Sequence, residues 1–424
     1  MPLIPAMILM AQAKSVPSLA EVNAAIERVV SKIDLLEPMA TPELFRRHLR
    51  SVRALLRAEE ARASAYAGTK SDLSAQTLEL VRTIGRGFDA DAGDWNAYLS
   101  GRRSMLMAYV SRRDNSLAHY WLTLPKGFDK GKAYPLYFEL HGAGDPHPLG
   151  WAAGQLGLPE GMTPAGYKRP TMVPMVEGKG FHVYPYGRGN SGYEDIGETD
   201  VWEALADVEA TVRLDPDRYY LYGFSMGGGG TWKIATRSPD RWAAAAIFAP
   251  AARTMDRDAK IGLAQNVANL PLWVWCGADD ALVTNARRIR DESTRFGNPP
   301  EYIEVPNLGH NFTQEAQTQA ARFFDGKVRH RPSRFSFVAD TPEHLGAWGV
   351  RLERDPLVSF APRFDVSIVG STVALDSEGT SGLAVDLPAL GIKGETTVIW
   401  NGREAYRGEP KSVTLGKVAP RRNP

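Results

Sequence analysis

The pentapeptide Gly223-Phe224-Ser225-Met226-Gly227 carries the most informative chemistry in the chain. Its serine stands between an apolar run ending at Phe224 and a helical stretch opening at Gly227, and the flanking glycines permit a tight strand-to-helix turn. Such a turn lifts a hydroxyl clear of a sheet edge, where it can attack a carbonyl carbon. A serine hydroxyl is a poor nucleophile at neutral pH, so this chemistry needs a histidine to take its proton. Only His310, His330 and His344 follow Ser225 in the chain. His310 lies in Asn307-Leu308-Gly309-His310-Asn311-Phe312, a loop after one apolar run and before a helix, where a base above strand ends belongs. His330 and His344 fall in a linker and in the C-terminal region, where surface or structural roles are expected.

The histidine in turn needs a carboxylate, and the apolar run Leu272 to Cys276 ends in Gly277-Ala278-Asp279-Asp280-Ala281-Leu282-Val283. Two adjacent aspartates compete for that role. Acyl transfer also requires two backbone donors aimed at the developing oxyanion, one from the residue after the nucleophile and one from a loop after an early strand. Met226 supplies the first, and Ala143 in His141-Gly142-Ala143-Gly144 is expected to supply the second. His141 is expected to hold that loop by hydrogen bonding rather than to act as a base. Arg188 and Tyr193, in a Gly-rich loop from Tyr186 to Tyr193, and Trp151, in a Gly/Pro-rich insertion, are candidate substrate contacts, with loop packing an equal alternative. Cys276 should be buried and inert. No metal-ligand cluster or dinucleotide loop is evident, so no cofactor is expected.

These residues need a scaffold. Short apolar runs predict strands over Leu117 to Leu124, Tyr134 to Leu140, Phe181 to Tyr186, Tyr219 to Phe224, Ala243 to Ala249, Leu272 to Cys276 and Glu301 to Val305. Helical stretches near Asp200 to Val212, Gly227 to Arg237, Thr284 to Phe296 and Thr313 to Phe324 alternate with them, the pattern of an α/β fold with a doubly wound, mostly parallel sheet. Ahead of it the chain reads as helices. One starts at Ser18 with Glu21 three residues on, and another at Thr41-Pro42, with a stripe of Leu44, Phe45, Leu49, Val52, Leu55 and Leu56 opposite solvated arginines. After Pro332 short β-like runs follow: Ala347 to Leu352, Phe364 to Val369, Thr372 to Leu375, Leu383 to Val385, Thr397 to Trp400 and Val413 to Leu415. Asn401-Gly402 is a type I′ hairpin signal. The expected organisation is a signal remnant or disordered stretch over 1–17, helices over 18–100, the α/β domain over 101–329 and a small β domain over 330–424.

Bulk properties set limits. Lys plus Arg (50) balances Asp plus Glu (49), so no overall field favours nucleic acid or an anionic membrane as partner. A single cysteine excludes an internal disulfide framework. The apolar run from Leu3 to Met10 followed by Ala11-Gln12-Ala13 is like an export-signal core and cleavage site, although the basic n-region is missing. An extracytoplasmic location is therefore expected, with the cytoplasm as the alternative.

From about Leu122 to Phe324 the chain resembles the serine esterase and prolyl-oligopeptidase-like branch of the α/β-hydrolases, which includes feruloyl esterases, acetylxylan esterases and polyhydroxybutyrate-depolymerase-like enzymes. The resemblance rests on Asp207-Val208, Leu214-Asp215-Pro216-Asp217-Arg218-Tyr219, the Ser225 pentapeptide with Gly228, and Pro239-Asp240-Arg241-Trp242-Ala243-Ala244. It implies hydrolysis of an ester, often on a plant polysaccharide, by an exported enzyme. It also favours Asp280 over Asp279, because related hydrolases place the acid three residues after a glycine and three before a valine, as Gly277 and Val283 stand here. The expected activity is a carboxylic-ester hydrolase acting on a carbohydrate-linked feruloyl or acetyl ester. The alternatives are a peptidase with the same three residues and a catalytically silent glycan-binding protein. The C-terminal β domain is expected to be a packing partner, since no row of exposed aromatics marks it as a glycan binder.

Overall fold

The computed structural model describes residues 17–91, 104–144, 147–156, 178–251, 263–354 and 361–416. The Leu3 to Ala13 run, expected to be a signal remnant or a disordered stretch, lies outside them. Two compact units divide the chain: residues 1–108 with 147–171, and residues 109–146 with 172–424.

The first unit is helical, with α1 (Leu19–Leu36), α2 (Glu43–Tyr66), α3 (Ser74–Asp91) and α4 (Pro148–Leu156). Ser18 and Glu21 satisfy each other's backbone donors at the start of α1, with Ser18 N donating to Glu21 Oε2 at 2.8 Å. At Thr41-Pro42 the helix begins one residue later than the capping pattern predicts. Pro42 is still extended (ψ 179°) and itself precedes the helix without a side-chain cap. Phe45, Leu49, Val52, Leu55 and Leu56 are buried with Val22, Ile26 and Ile33 of α1. The arginines opposite form surface ion pairs, Arg50 with Glu37 and Glu43, and Arg53 with Asp34 and Glu37.

The sheet strands are β1 (Ser104–Val110), β2 (Leu117–Thr123), β3 (Tyr134–Leu140), β4 (Phe181–Pro185), β5 (Leu214–Phe224), β6 (Ala244–Phe248), β7 (Leu272–Gly277) and β8 (Glu301–Val305). They lie in the order β1-β2-β4-β3-β5-β6-β7-β8. β2 runs antiparallel to β4, and every pair from β4 to β8 is parallel. Strands buried on both faces read as continuous apolar runs, and β6 and β7 are buried at every residue. Crossovers are made by α5 (Ile196–Thr211), α6 (Met226–Arg237) and α7 (Val283–Arg295), and α8 (Gln314–Phe324) follows the last strand. One sheet face, with Tyr137, Tyr220, Tyr222, Trp273 and Trp275, packs on Phe323 and Phe324 of α8. Register then does the positioning. Leu140 pairs with Gly223, Phe224 with Phe248, and Gly277 with Val305, so the carboxyl ends of β3, β5, β6, β7 and β8 share one edge.

Beyond this sheet the same unit continues as β9 (Arg334–Val338), β10 (Gly346–Ala347), β11 (Val350–Arg354), β12 (Arg363–Val369), β13 (Thr372–Glu378), β14 (Thr380–Asp386), β15 (Thr396–Trp400), β16 (Arg403–Gly408) and β17 (Ser412–Gly416). They form two sheets, β10-β11-β14-β17 and β16-β15-β13-β12-β9, whose apolar residues share one core containing Phe337, Phe364, Leu375, Leu383 and Val398. Asn401 and Gly402 both have positive φ (48° and 76°) and close the β15–β16 hairpin, where Trp400 pairs with Arg403. The sandwich is fastened to the large sheet's layer by Asn266, whose amide donates to Thr236 O and Val338 O and accepts from Val338 N.

Candidate active site

Ser225 follows β5 directly, with φ 60° and ψ −117°. A non-glycine residue there is strained and must be held by its surroundings. Its N–H donates to Phe248 O at 3.0 Å, and its carbonyl accepts from Gly229 N (3.1 Å) and Ala251 N (3.0 Å). The glycines are required for contact rather than for φ. A methyl group at Gly223 would lie 2.4 Å from Gly227 O, at Gly227 1.8 Å from Leu140 O, and at Gly228 2.3 Å from Phe248 O.

His310 Nε2 lies 2.9 Å from Ser225 Oγ, and its Nδ1 lies 2.7 Å from Asp280 Oδ2. Asp280 also accepts the Leu282 N–H on Oδ1 at 2.8 Å. The carboxylate side chain is only 1% exposed whereas the imidazole is 42% exposed. The acid is sealed beneath an accessible base. The imidazole stacks on Phe224 (centroids 4.7 Å apart), and Phe312 packs on the same phenyl ring. The two loops nest because Gly277 is small: a methyl group there would meet Leu308 O at 2.1 Å, and Asp279 N donates to that carbonyl at 3.0 Å. Asp279 is exposed and contributes its backbone. Cys276 is buried below Asp280, and burial together with the neighbouring carboxylate pushes its thiol up to about 12.

Met226 opens α6, so its N–H has no acceptor within the helix. The loop after β3 runs against the nucleophile: a methyl group at Gly142 would lie 3.6 Å from Ser225 Cβ, and Ala143 next to it is exposed. Three side chains fix this loop. His141 lies between the carbonyls of Gly142 (2.6 Å) and Tyr186 (2.9 Å), and burial holds its pKa below the ordinary imidazole value, so its single ring N–H donates to one of them. Asn190 grips Gly144 at both backbone groups, accepting from its N–H and donating to its carbonyl, each at 2.9 Å. Tyr193 donates its hydroxyl to His141 O at 3.0 Å.

The candidate substrate contacts need correction. Tyr193 is fully buried, with its ring packed against Gly187 and Gly230, so its phenol is spent on the loop and meets no substrate. The Arg188 guanidinium is turned to Asp114 and Ser116 and sits 3.5 Å from Asp200, which leaves it a tie within the fold. Trp151 is on α4 in the helical unit, and its side chain lies outside the described residues. Asn190 was not singled out from sequence. An amide inside a glycine-rich loop, able to donate and accept at once, was the signal for it. Among the described residues no group of three or more His, Cys, Asp or Glu is placed to hold a metal ion, and no helix is long and apolar enough to cross a membrane.

A sheet in this strand order, with a strained serine after β5 and the histidine loop after β8, is the α/β-hydrolase fold, here with an appended β-sandwich. No protein-family model matches it. Among curated proteins, one from Aspergillus terreus named as a feruloyl esterase C is 27% identical over 134 residues, 30% of this chain. The match spans 45% of that relative's length. Similar solved structures include a ferulic acid esterase, 22% identical with TM-score 0.42, over 52% of this chain and 96% of that one. The acylaminoacyl peptidase of Pyrococcus horikoshii is another, 16% identical with TM-score 0.40, over 56% of this chain and 45% of that one.

Proposed function

We propose that the protein is a serine carboxylic-ester hydrolase that works through an acyl-enzyme on Ser225. The observation that carries this reading is the unbroken line of hydrogen bonds from Ser225 Oγ through His310 to Asp280, 2.9 Å and 2.7 Å long. With Nδ1–H donated to Asp280, Nε2 is left as an acceptor for the serine proton. Ser225 Oγ attacks the ester carbonyl while Nε2 takes that proton. Asp280 stabilises the imidazolium, and the N–H groups of Met226 and Ala143 receive the oxyanion. The protonated histidine then gives its proton to the leaving alkoxide. Water, activated by the same imidazole, attacks the acyl-enzyme and frees Ser225. This sequence uses no cofactor.

The substrate class in this reading is a carbohydrate-linked ester, feruloyl or acetyl, supported by the likeness to the Aspergillus terreus protein named as a feruloyl esterase. An extracytoplasmic location goes with it, because polymeric esters lie outside the membrane. The test is turnover of p-nitrophenyl acetate, methyl ferulate and a peptide anilide by the purified protein and by Ser225→Ala. Ester turnover that vanishes in Ser225→Ala, with a fluorophosphonate labelling Ser225 in the parent, is the expected result. Anilide cleavage without ester turnover would make it a peptidase, and full activity in Ser225→Ala would place the chemistry elsewhere.

A further inference from the structure

The His310 imidazole is flanked at both nitrogens and on one face. Nδ1 meets the Asp280 carboxylate at 2.7 Å, and Nε2 meets Ser225 Oγ at 2.9 Å. The face rests on Phe224, with ring centroids 4.7 Å apart and planes 29° from parallel. Phe224 ends β5 directly before the nucleophile and continues the row Tyr220, Tyr222 on the sheet face that α8 covers. Its ring is fixed in turn by the histidine loop. Phe312, two residues beyond His310, lies 14° from parallel with Phe224 at 5.1 Å and packs edge-on against Phe248 of β6 at 4.7 Å. A chain of three phenyl rings therefore runs from β6 to the imidazole.

A phenyl ring offers an imidazole two different things. Packing holds the neutral and the protonated ring alike, so it places the base without favouring the transition state. The electron-rich face attracts positive charge, and that attraction acts only on the imidazolium. A cation within about 6 Å of a phenyl centroid is inside its range, and the 4.7 Å seen here qualifies. His310 gains its charge when it takes a proton, from Ser225 in acylation and from water in deacylation. The attraction is thus switched on as each barrier is climbed, and it adds to that of Asp280 on the same charge from the ring edge. Phe224 is half-buried and the imidazole is 42% exposed, so competition from water keeps the effect in the lower part of its range.

We propose that Phe224 is a positioning residue for the proton transfers, holding the imidazole flat and drawing its protonated form onto the phenyl face. The inference rests on the acyl-enzyme reading of Ser225. Fluorine withdraws electron density from a phenyl face with little change of shape. The test therefore replaces Phe224 by para-fluorophenylalanine and by pentafluorophenylalanine, whose face no longer attracts a cation. Turnover of p-nitrophenyl acetate should slow in that order, with kcat about two- to fivefold below the parent for the pentafluoro ring. KM should not change, because substrate meets the neutral base. Phe224→Leu fills the space without a π face and should fall at least as far, while Phe224→Tyr should stay within about twofold of the parent. Active sites are counted by fluorophosphonate titration, so an unfolded fraction of any variant does not lower kcat. Equal kcat along the fluorinated series would overturn the proposal and leave packing as the whole role of the ring. A loss carried by KM would also overturn it, by making Phe224 a substrate contact. A parent that turns over no ester and takes no fluorophosphonate would strike the reading of Ser225 itself, and this proposal with it.

Discussion

Replacing Asn190 by alanine tests whether the loop after β3 serves the transition state. The side chain makes two hydrogen bonds to the backbone of Gly144, both 2.9 Å long. Each contributes about 0.5–1.5 kcal/mol net, so their joint loss favours a loosened loop by about 1–3 kcal/mol. Asn190 and Gly144 are both exposed, and competition from water puts the value in the lower half of that range. If the Ala143 N–H is aimed only in the clamped loop, the loss appears in the barrier, where about 1.36 kcal/mol is tenfold in rate. Asn190→Ala should then lower kcat about 5- to 30-fold with KM for p-nitrophenyl acetate little changed. Asn190→Asp keeps the acceptor for Gly144 N and loses the donor to Gly144 O, so its kcat should fall between. Steady-state kinetics normalised by fluorophosphonate titration of Ser225 gives the comparison. A kcat within about twofold of the parent for Asn190→Ala would refute the assignment of this loop to oxyanion binding.

Other expectations concern the scaffold. Gly227→Ala drives a methyl group against Leu140 O, a backbone atom that cannot swing away, and should cost more than about 4 kcal/mol in urea unfolding. Gly309→Ala enters open space and should change stability by no more than about 0.5 kcal/mol; equal losses for the two would undo the packing argument. Arg237, 5% exposed, holds Glu198 and Asp340, so Arg237→Ala strands the Asp340 carboxylate, while Glu198 keeps His344 and Lys233, and should lose about 3–5 kcal/mol, whereas a loss under about 1 kcal/mol would mean the tie is dispensable. Glu139, opposite Tyr222 and accepting its hydroxyl at 2.7 Å, is pushed up to about 7 by burial from an ordinary 4.5. The folded state therefore keeps a proton that the unfolded chain has released. This stability is complete below the ordinary value and is lost as pH rises through about 7. Glu139→Gln should flatten the fall in Tm between about pH 5 and 8, and an unchanged slope would locate the titration in another group.

The strands that hold the site were legible because they are buried on both faces. Uninterrupted runs such as Ala244 to Phe248 and Leu272 to Gly277 admit few other readings. β1, β9 and β16 were missed for different reasons. β16, Arg-Glu-Ala-Tyr-Arg-Gly, is an edge strand whose exposed charges give no alternation, and β9 follows a run of Arg and Pro that reads as a linker. β1, Ser-Met-Leu-Met-Ala-Tyr-Val, is rich in Met, Leu and Ala, whose local preference is for helix. Arg188 and Tyr193 misled because a glycine-rich loop near a serine looks the same whether its side chains face a ligand or tie down its neighbour.

The sequence alone determined the strand-turn-helix around Ser225 and the mainly parallel sheet, because these follow from glycine spacing and apolar periodicity within short windows, whereas the order serine, acid, histidine was an expectation taken from the resemblance. It could not determine which side chains converge. Asn190 reaching Gly144 and Tyr193 turned inward to His141 O both join residues far apart in the chain. Such partnerships depend on register between strands and on the space left by packed neighbours, quantities that exist only once the whole sheet and its layers have formed.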